Sequence, residues 1–223
     1  MKPLWERQLE EDLDWRMAEL AVLKLQVRRH SKGDLPYTSL IRALWAMLYA
    51  HYEGFCIFAF NVYLEQIEKE GPKRSACKQP IVLLSLEEDI RRFRGDMSSE
   101  KCFHYFSVEM GRLLNEKMVF ERDPKTNEFK IKGRSNLYPA NLIEQCVDTC
   151  LNVPAVDAHK DELRALVGRR NEIAHGRKLI IDDFVKYPPY EDAAVAVMHE
   201  LAYEIIKSIN EKQFIEPIPE YHV

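Results

Sequence analysis

Three side chains that lie close together in this chain have the chemistry to act on a phosphodiester. They are Arg170, Asn171 and His175, in the stretch DELRALVGRRNEIAH from Asp161 to His175. A guanidinium offers a two-pronged fork to phosphate oxygens and stabilises negative charge as it grows in the transition state. An imidazole titrates near neutrality, so it can move the proton of a 2′-hydroxyl or of a leaving 5′-oxygen. With the 2′-hydroxyl as nucleophile, RNA cleavage by such a set needs neither a nucleophile from the protein nor a metal. No Ser/His/Asp order, glycine-rich phosphate loop or metal-ligand cluster points to other chemistry, and nothing calls for a cofactor. Taken by spacing alone, an arginine followed five positions later by a histidine is a weak signal.

The helix that must carry these groups sharpens it. Leu163, Leu166, Val167, Ile173 and Ala174 recur at the spacing of one helical face. At about 100° per residue, Arg170 falls in the middle of that stripe, roughly 20° from Leu163. Arginine cannot shed its charge, and taking it out of water costs several kcal/mol unless a partner compensates. A buried carboxylate or an anion such as phosphate would serve. Glu53 is a second anomaly, because a carboxylate among aromatics must be protonated or paired. Arg170 and Arg42 are its candidate partners, and Glu53 reads equally as an internal polar tie that fixes packing.

On one uninterrupted helix, Arg170 and His175 would stand about 140° apart around the axis and about 7.5 Å apart along it. Asn171 lies between them and could orient a phosphate or the histidine. Gly176 is a typical residue to end a helix, so the helix is expected to stop there. Either a bend swings the imidazole into a shared cleft, or two chains pair so that both copies face one groove. Arg169 and Arg177 are possible supporting residues. From Arg164 to Lys178 five basic residues (Arg164, Arg169, Arg170, Arg177, Lys178) face one acid, Glu172.

The remaining elements read as a frame for this helix. The patterning predicts an amphipathic helix from Glu6 to about His30 and a helix apolar on most sides from Tyr37 to about Glu70, the second stopped by Gly71-Pro72. Arg42, His51 and Glu53 interrupt the apolar second helix, which reads as the centre of a bundle and not a membrane span. On it Trp45, Phe55, Phe58 and Phe60 are expected in the core, with His51 as a satisfied core histidine. Pro72 to Pro80 reads as a loop, and shorter helices follow at Leu86–Phe93 and Ser99–Lys117. An alternating stretch around Val119, Phe120, Phe129 and Ile131 predicts a small β-hairpin or extended insertion, about residues 118–134. Ser135 or Asn136 is the expected cap for a helix from Pro139 to Leu151. Asp157–Ala174 carries Arg170, Tyr190 to about Lys212 is the last helix, and Phe214–Val223 is expected to lie extended over the surface. His104 is expected in packing, His159 and His199 on the surface. The sum is an all-α, up-and-down bundle forming a single domain over residues 1–223.

Bulk composition narrows the partners. Of 223 residues, 30% are charged and 46% hydrophobic, as in ordinary soluble globular chains. A net charge of −4 argues against coating nucleic acid by global charge, so binding would need the local basic patch. Five cysteines without framework spacing, and no apolar leader core, lead us to expect a reducing cytoplasm. Cys146 and Cys150, four apart, read as buried thiols and not half of a metal site.

RNEIAHG (Arg170–Gly176) resembles the R-x4-6-H signature of the HEPN superfamily, the helical domains of many prokaryotic toxins and defence ribonucleases. LIRALWAMLYAHYEGFCIFAFNVYLEQI (Leu40–Ile67) is similar to the long helix of the MAE-like HEPN nucleases, and EEDLDWRMAELAVLK (Glu10–Lys24) fits their opening helix. Pro72–Lys132 matches only in helical character. The resemblance implies a helical bundle that forms a homodimer, with two copies of the motif at one interface. It implies metal-independent endoribonuclease activity that leaves a 2′,3′-cyclic phosphate, with Arg170 and His175 as the catalytic pair and Asn171 as the polar residue after the arginine. A toxin or defence effector acting on RNA is the corresponding role, with an antitoxin or defence-system partner as regulator. The alternative is a catalytically silent HEPN module that binds RNA, a nucleotide or a protein. Some HEPN toxins carry a modifiable tyrosine two positions after the histidine; Arg177 stands there, so silencing by that route is not expected.

Overall fold

Proline and glycine set the ends of the two longest helices. The computed structural model describes residues 2–94, 98–131, 136–177 and 184–217. Helix α1 (Leu4–Arg28) starts after Pro3, whose fixed φ suits a first turn, with Glu6 in that turn and Arg28 in the last to complement the dipole. Helix α2 (Leu35–Glu70) takes Pro36 into its opening turn and ends at Gly71, in the left-handed conformation at φ 61°. Its 36 residues span about 54 Å.

Short helices fill one end of the molecule: α3 (Gln79–Ser85), α4 (Glu87–Arg94), α5 (Ser99–His104) and α6 (Met110–Asn115), the last two joined through a wide π-turn at Tyr105–Glu109. Then come α7 (Pro139–Asp148), α8 (Ala155–Ala158), α9 (Lys160–Ala174) and α10 (Pro188–Glu211). The chain is all-α: among the described residues, β-pairing is confined to isolated bridges at Lys73–Lys117, Cys77–Ile215 and Arg122–Phe129. The expected insertion is therefore extended chain with one bridge. Asp123 turns it by accepting the Lys125 N–H at 2.8 Å on its side chain, and Phe120, Phe129 and Ile131 seal it to the core. Residues 132–134 and Ser135, proposed above as a cap, lie outside the described residues, as does Lys178.

Helix α2 is the axis of the bundle, with α1, α9 and α10 all packed against it. That explains its sequence: a helix covered on most sides must be apolar on most sides. Trp45, Tyr49, Tyr52, Phe55 and Phe60 are sealed from solvent, and Phe58 packs partly buried against them. Trp45 meets Tyr187 and Tyr190 of the α10 start edge-to-face, at centroid distances of 5.6 and 4.6 Å, and truncating such a core tryptophan costs about 3–5 kcal/mol. Among the described residues no helix is long and apolar enough to cross a membrane.

Four expectations need correction. The Pro72–Pro80 loop holds a 3-10 turn at Arg74–Ala76, and α3 begins inside its end with Pro80 in the first turn, where a missing N–H costs nothing. The helix expected over Asp157–Ala174 breaks at His159, whose φ of −115° and ψ of 21° are not helical. The start of the C-terminal tail is not surface chain: Phe214 is fully buried, and Lys78 and Ala76 bond the backbone of Phe214 and Glu216. Residues 218–223 of that tail lie outside the described residues. His104 is exposed, with Nε2 3.6 Å from Glu109, and is not a packing residue.

Candidate active site

Helix α9 ends as its sequence demands. Gly176 takes φ 71°, a conformation side chains disfavour, and its N–H donates to Ile173 O while Arg177 N–H donates back to Glu172 O at 3.0 Å. This pair of reversed bonds is the Schellman closure, which satisfies carbonyls the helix would otherwise leave open. His175 is the last residue before the turn. It is exposed, and its N–H donates to Asn171 O at 3.0 Å.

Arg170 faces α2, as its helical phase requires, but it is half-buried and not sealed. Its guanidinium carbon sits 4.7 Å from the centre of the Tyr49 ring, and Nη1 donates to Asn171 Oδ1 at 2.8 Å. No carboxylate among the described residues lies within ion-pair distance of it. The charge is instead held by a π-face and a neutral amide oxygen. Glu53 pairs with neither Arg170 nor Arg42; its Oε1 accepts the Tyr49 hydroxyl at 2.6 Å. The nearest donor stands one turn back on the same helix, so no distant cation is required.

Tyr49 thus joins three elements. Its ring lies under Arg170 of α9, its hydroxyl donates to Glu53 of α2, and that oxygen accepts the Leu137 N–H at 3.0 Å just before α7. Burial first, and the bond to Glu53 second, hold the phenol well above its ordinary range. It stays protonated and serves as a fixed support for the guanidinium.

The remaining basic residues divide by role. Arg169 is stacked between Trp45 and Tyr190, 4.3 and 4.8 Å from their ring centres, with Nη2 on the Tyr190 hydroxyl at 3.3 Å. It locks α9 to α2 and α10. Arg177 is exposed, 3.8 Å from Glu172, and its carbonyl accepts Arg42 Nη1 at 3.0 Å. Arg42 therefore ties the turn after His175 to α2. The structure brings Arg170, Asn171, Glu53 and Arg177 around one stretch of α2. It does not fold His175 back onto Arg170, because the helix runs straight to its cap.

A family model for MAE_28990-like HEPN domains matches residues 5–214. The chain belongs to this HEPN family. No curated protein and no solved structure matches it. The match runs from α1 to Phe214 at the start of the tail.

The HEPN blocks of α1 and α2 also meet, at a second polar cluster on the far side of α2. Arg16, only 8% exposed, forms a two-pronged pair with Asp12 (2.6 and 3.3 Å) and lies 3.4 Å from His51 Nδ1. A Cβ on Gly54 would stand 2.9 Å from Arg16 Nη1, which explains a glycine in the middle of the central helix. His51 is a core histidine, as expected, with Nε2 2.9 Å from Glu19 Oε2. Burial, then the charge of Arg16, push its imidazole below the ordinary value. Tyr49, Arg42 as a tie to Arg177, and Arg16 were all missed in sequence. Tyr49 had a signal, standing four residues before Glu53, one turn along the helix. Cys146 is buried and Cys150 half-buried, and among the described residues no three His, Cys, Asp or Glu side chains are placed to hold a metal ion.

Proposed function

We propose that this HEPN domain is a metal-independent endoribonuclease, acting as a toxin or defence effector on RNA. One observation carries the reading. Arg170 is held in place by Tyr49 and Asn171, keeps accessible surface, and has no carboxylate among the described residues to neutralise it, so its charge is left for an anion. His175 waits exposed at the end of the same helix. In the proposed reaction the 2′-hydroxyl gives its proton to one imidazole and attacks the adjacent phosphorus. The bond to the 5′-oxygen breaks, and that oxygen takes a proton from an imidazolium. Arg170 binds the phosphate oxygens as charge builds. The products are a 2′,3′-cyclic phosphate and a 5′-hydroxyl.

Two imidazoles and one short reach favour two copies. Arg170 and His175 of one chain diverge around α9, whereas a homodimer sets two copies of each around one groove. Beside the site α2 presents Ala43 and Ala50 exposed and Ala46 half-exposed, roughly 60–120° around the helix from Tyr49 at about 100° per residue. Such a strip of small side chains lets a second helix approach closely. The test is an RNA oligomer against the same oligomer with 2′-deoxy sugars, both in EDTA. Cleavage of the first alone, with cyclic phosphate ends, is the expected result. Binding without cleavage would replace the proposal with the silent, RNA-binding HEPN module.

A further inference from the structure

Helix α1 is apolar on two sides, and only one is used by the bundle. Inward it buries Leu9, Leu13, Leu20 and Val27. Outward, Trp15, Val22 and Leu25 are 48%, 58% and 56% exposed, with Ala18 exposed among them. Single exposed apolar residues are ordinary; these four are not scattered. Positions 11, 15, 18, 22, 25 and 29 follow the alternating three-four spacing of a heptad seam. At about 100° per residue, Glu11, Ala18, Val22 and Arg29 all point within roughly 20° of directly opposite Leu20.

The charges along this seam choose its occupant. The first half of α1 is acidic on balance, with Glu6, Glu10, Glu11, Asp12 and Asp14 against Arg7 and Arg16, and its end is basic on balance, with Lys24, Arg28 and the cap residue Arg29 against Glu19. We infer that the outward face of α1 binds a second copy of itself, antiparallel, about a two-fold axis at residue 20. In that register Glu11 meets the second copy's Arg29, Trp15 meets Leu25, and Ala18 meets Val22. The layers then set acid against base, one large apolar side chain against another, and small Ala18 against Val22. A parallel pair would stack Glu11 on Glu11 and Arg29 on Arg29, and would oppose rather than cancel the helix dipoles' ends. Glu11 and Arg29 make no ion pair among the described residues and are free to do so.

The anchor is already set. Trp15 Nε1 donates to Asp12 Oδ1 at 3.0 Å, its ring lies 4.6 Å from the Arg16 guanidinium carbon and meets His51 edge-on at 5.2 Å. Little side-chain freedom is lost when such a residue is covered. This surface is separate from the candidate active site. Helix α1 packs on the His51–Gly54 side of α2, about 140–160° around that helix from Tyr49, so pairing through α1 adds a second two-fold contact and does not replace the one beside Arg170.

Sedimentation equilibrium of the full chain at low salt tests it, with native far-UV circular dichroism required of each variant. Val22→Glu is expected to halve the mass of the native assembly and weaken association on the order of 100-fold, because each pair would bury two unpaired carboxylates. Glu11→Lys and Arg29→Glu are each expected to weaken it about tenfold at low salt, and the double variant to restore it, since the exchanged charges meet across the axis. A native mass equal to that of Val22→Glu would overturn the proposal, whatever happens beside Arg170. Failure of the charge exchange to restore association would overturn the antiparallel register.

Discussion

Removing one oxygen atom from Tyr49 separates support from chemistry at the candidate site. In Tyr49→Phe the ring stays beneath Arg170, 4.7 Å from its guanidinium carbon, so the cation keeps its seat. Two hydrogen bonds vanish: the 2.6 Å bond to Glu53 and the 3.0 Å bond from Leu137 N–H. A bond to a charged group is worth about 1.5–3 kcal/mol and a neutral one about 1 kcal/mol. Glu53 is only half-buried and can take water instead, which returns part of the first contribution. The net loss is about 2 kcal/mol, or roughly 4–8 °C in Tm for a chain of this size. Thermal unfolding by circular dichroism measures the loss, and RNA cleavage at a temperature where both proteins are folded measures activity. The expected result is a lower Tm with cleavage within about fivefold of native, since less than about 1 kcal/mol of transition-state contact is touched. Unchanged Tm would show that the hydroxyl supports nothing. Abolished cleavage in a folded variant would show that it takes part in the chemistry.

Gly54→Ala places a methyl group 2.9 Å from Arg16 Nη1, and the displaced guanidinium loses its hold on Asp12 and His51; urea unfolding should show a loss of about 1–3 kcal/mol. The folded His51 imidazole binds its proton less tightly than the ordinary 6.5, so the unfolded chain takes up more protons and stability falls as pH drops below that value. Tm measured from pH 7.5 to about 5.5 should fall less steeply in His51→Asn than in the native chain. Gly176→Val forces a branched side chain into φ 71°, costs about 1–2 kcal/mol, or roughly 2–8 °C in Tm, and loosens the cap that sets His175; cleavage at a temperature where the variant is folded should fall at least about tenfold.

The parts of the fold that rest on local chemistry were legible. Pro36 and Gly71 bounded α2, its all-round apolarity placed it at the centre, and Gly176 marked the end of α9 because only a left-handed residue allows that closure. Helical phase also put Arg170 toward α2. What phase cannot say is which residue waits there, and so Tyr49 was not foreseen and Glu53 was given distant partners. The same limit hid the burial of Phe214, whose seat is built by Cys77 and Lys78 far back in the chain. The break at His159 falls between two acceptable helical sequences, and only the packing of α8 against α7, α9 and α10 makes it necessary.

In the proposed reaction the guanidinium of Arg170 and the imidazole of His175 carry out the RNA cleavage. Total cellular RNA, incubated in EDTA with the native chain, with Arg170→Ala and with His175→Ala, tests it most directly. Rates lower by about 100-fold or more are expected in each variant, with native circular dichroism and with Tm within a few degrees. Native-rate cleavage by either folded variant would contradict it.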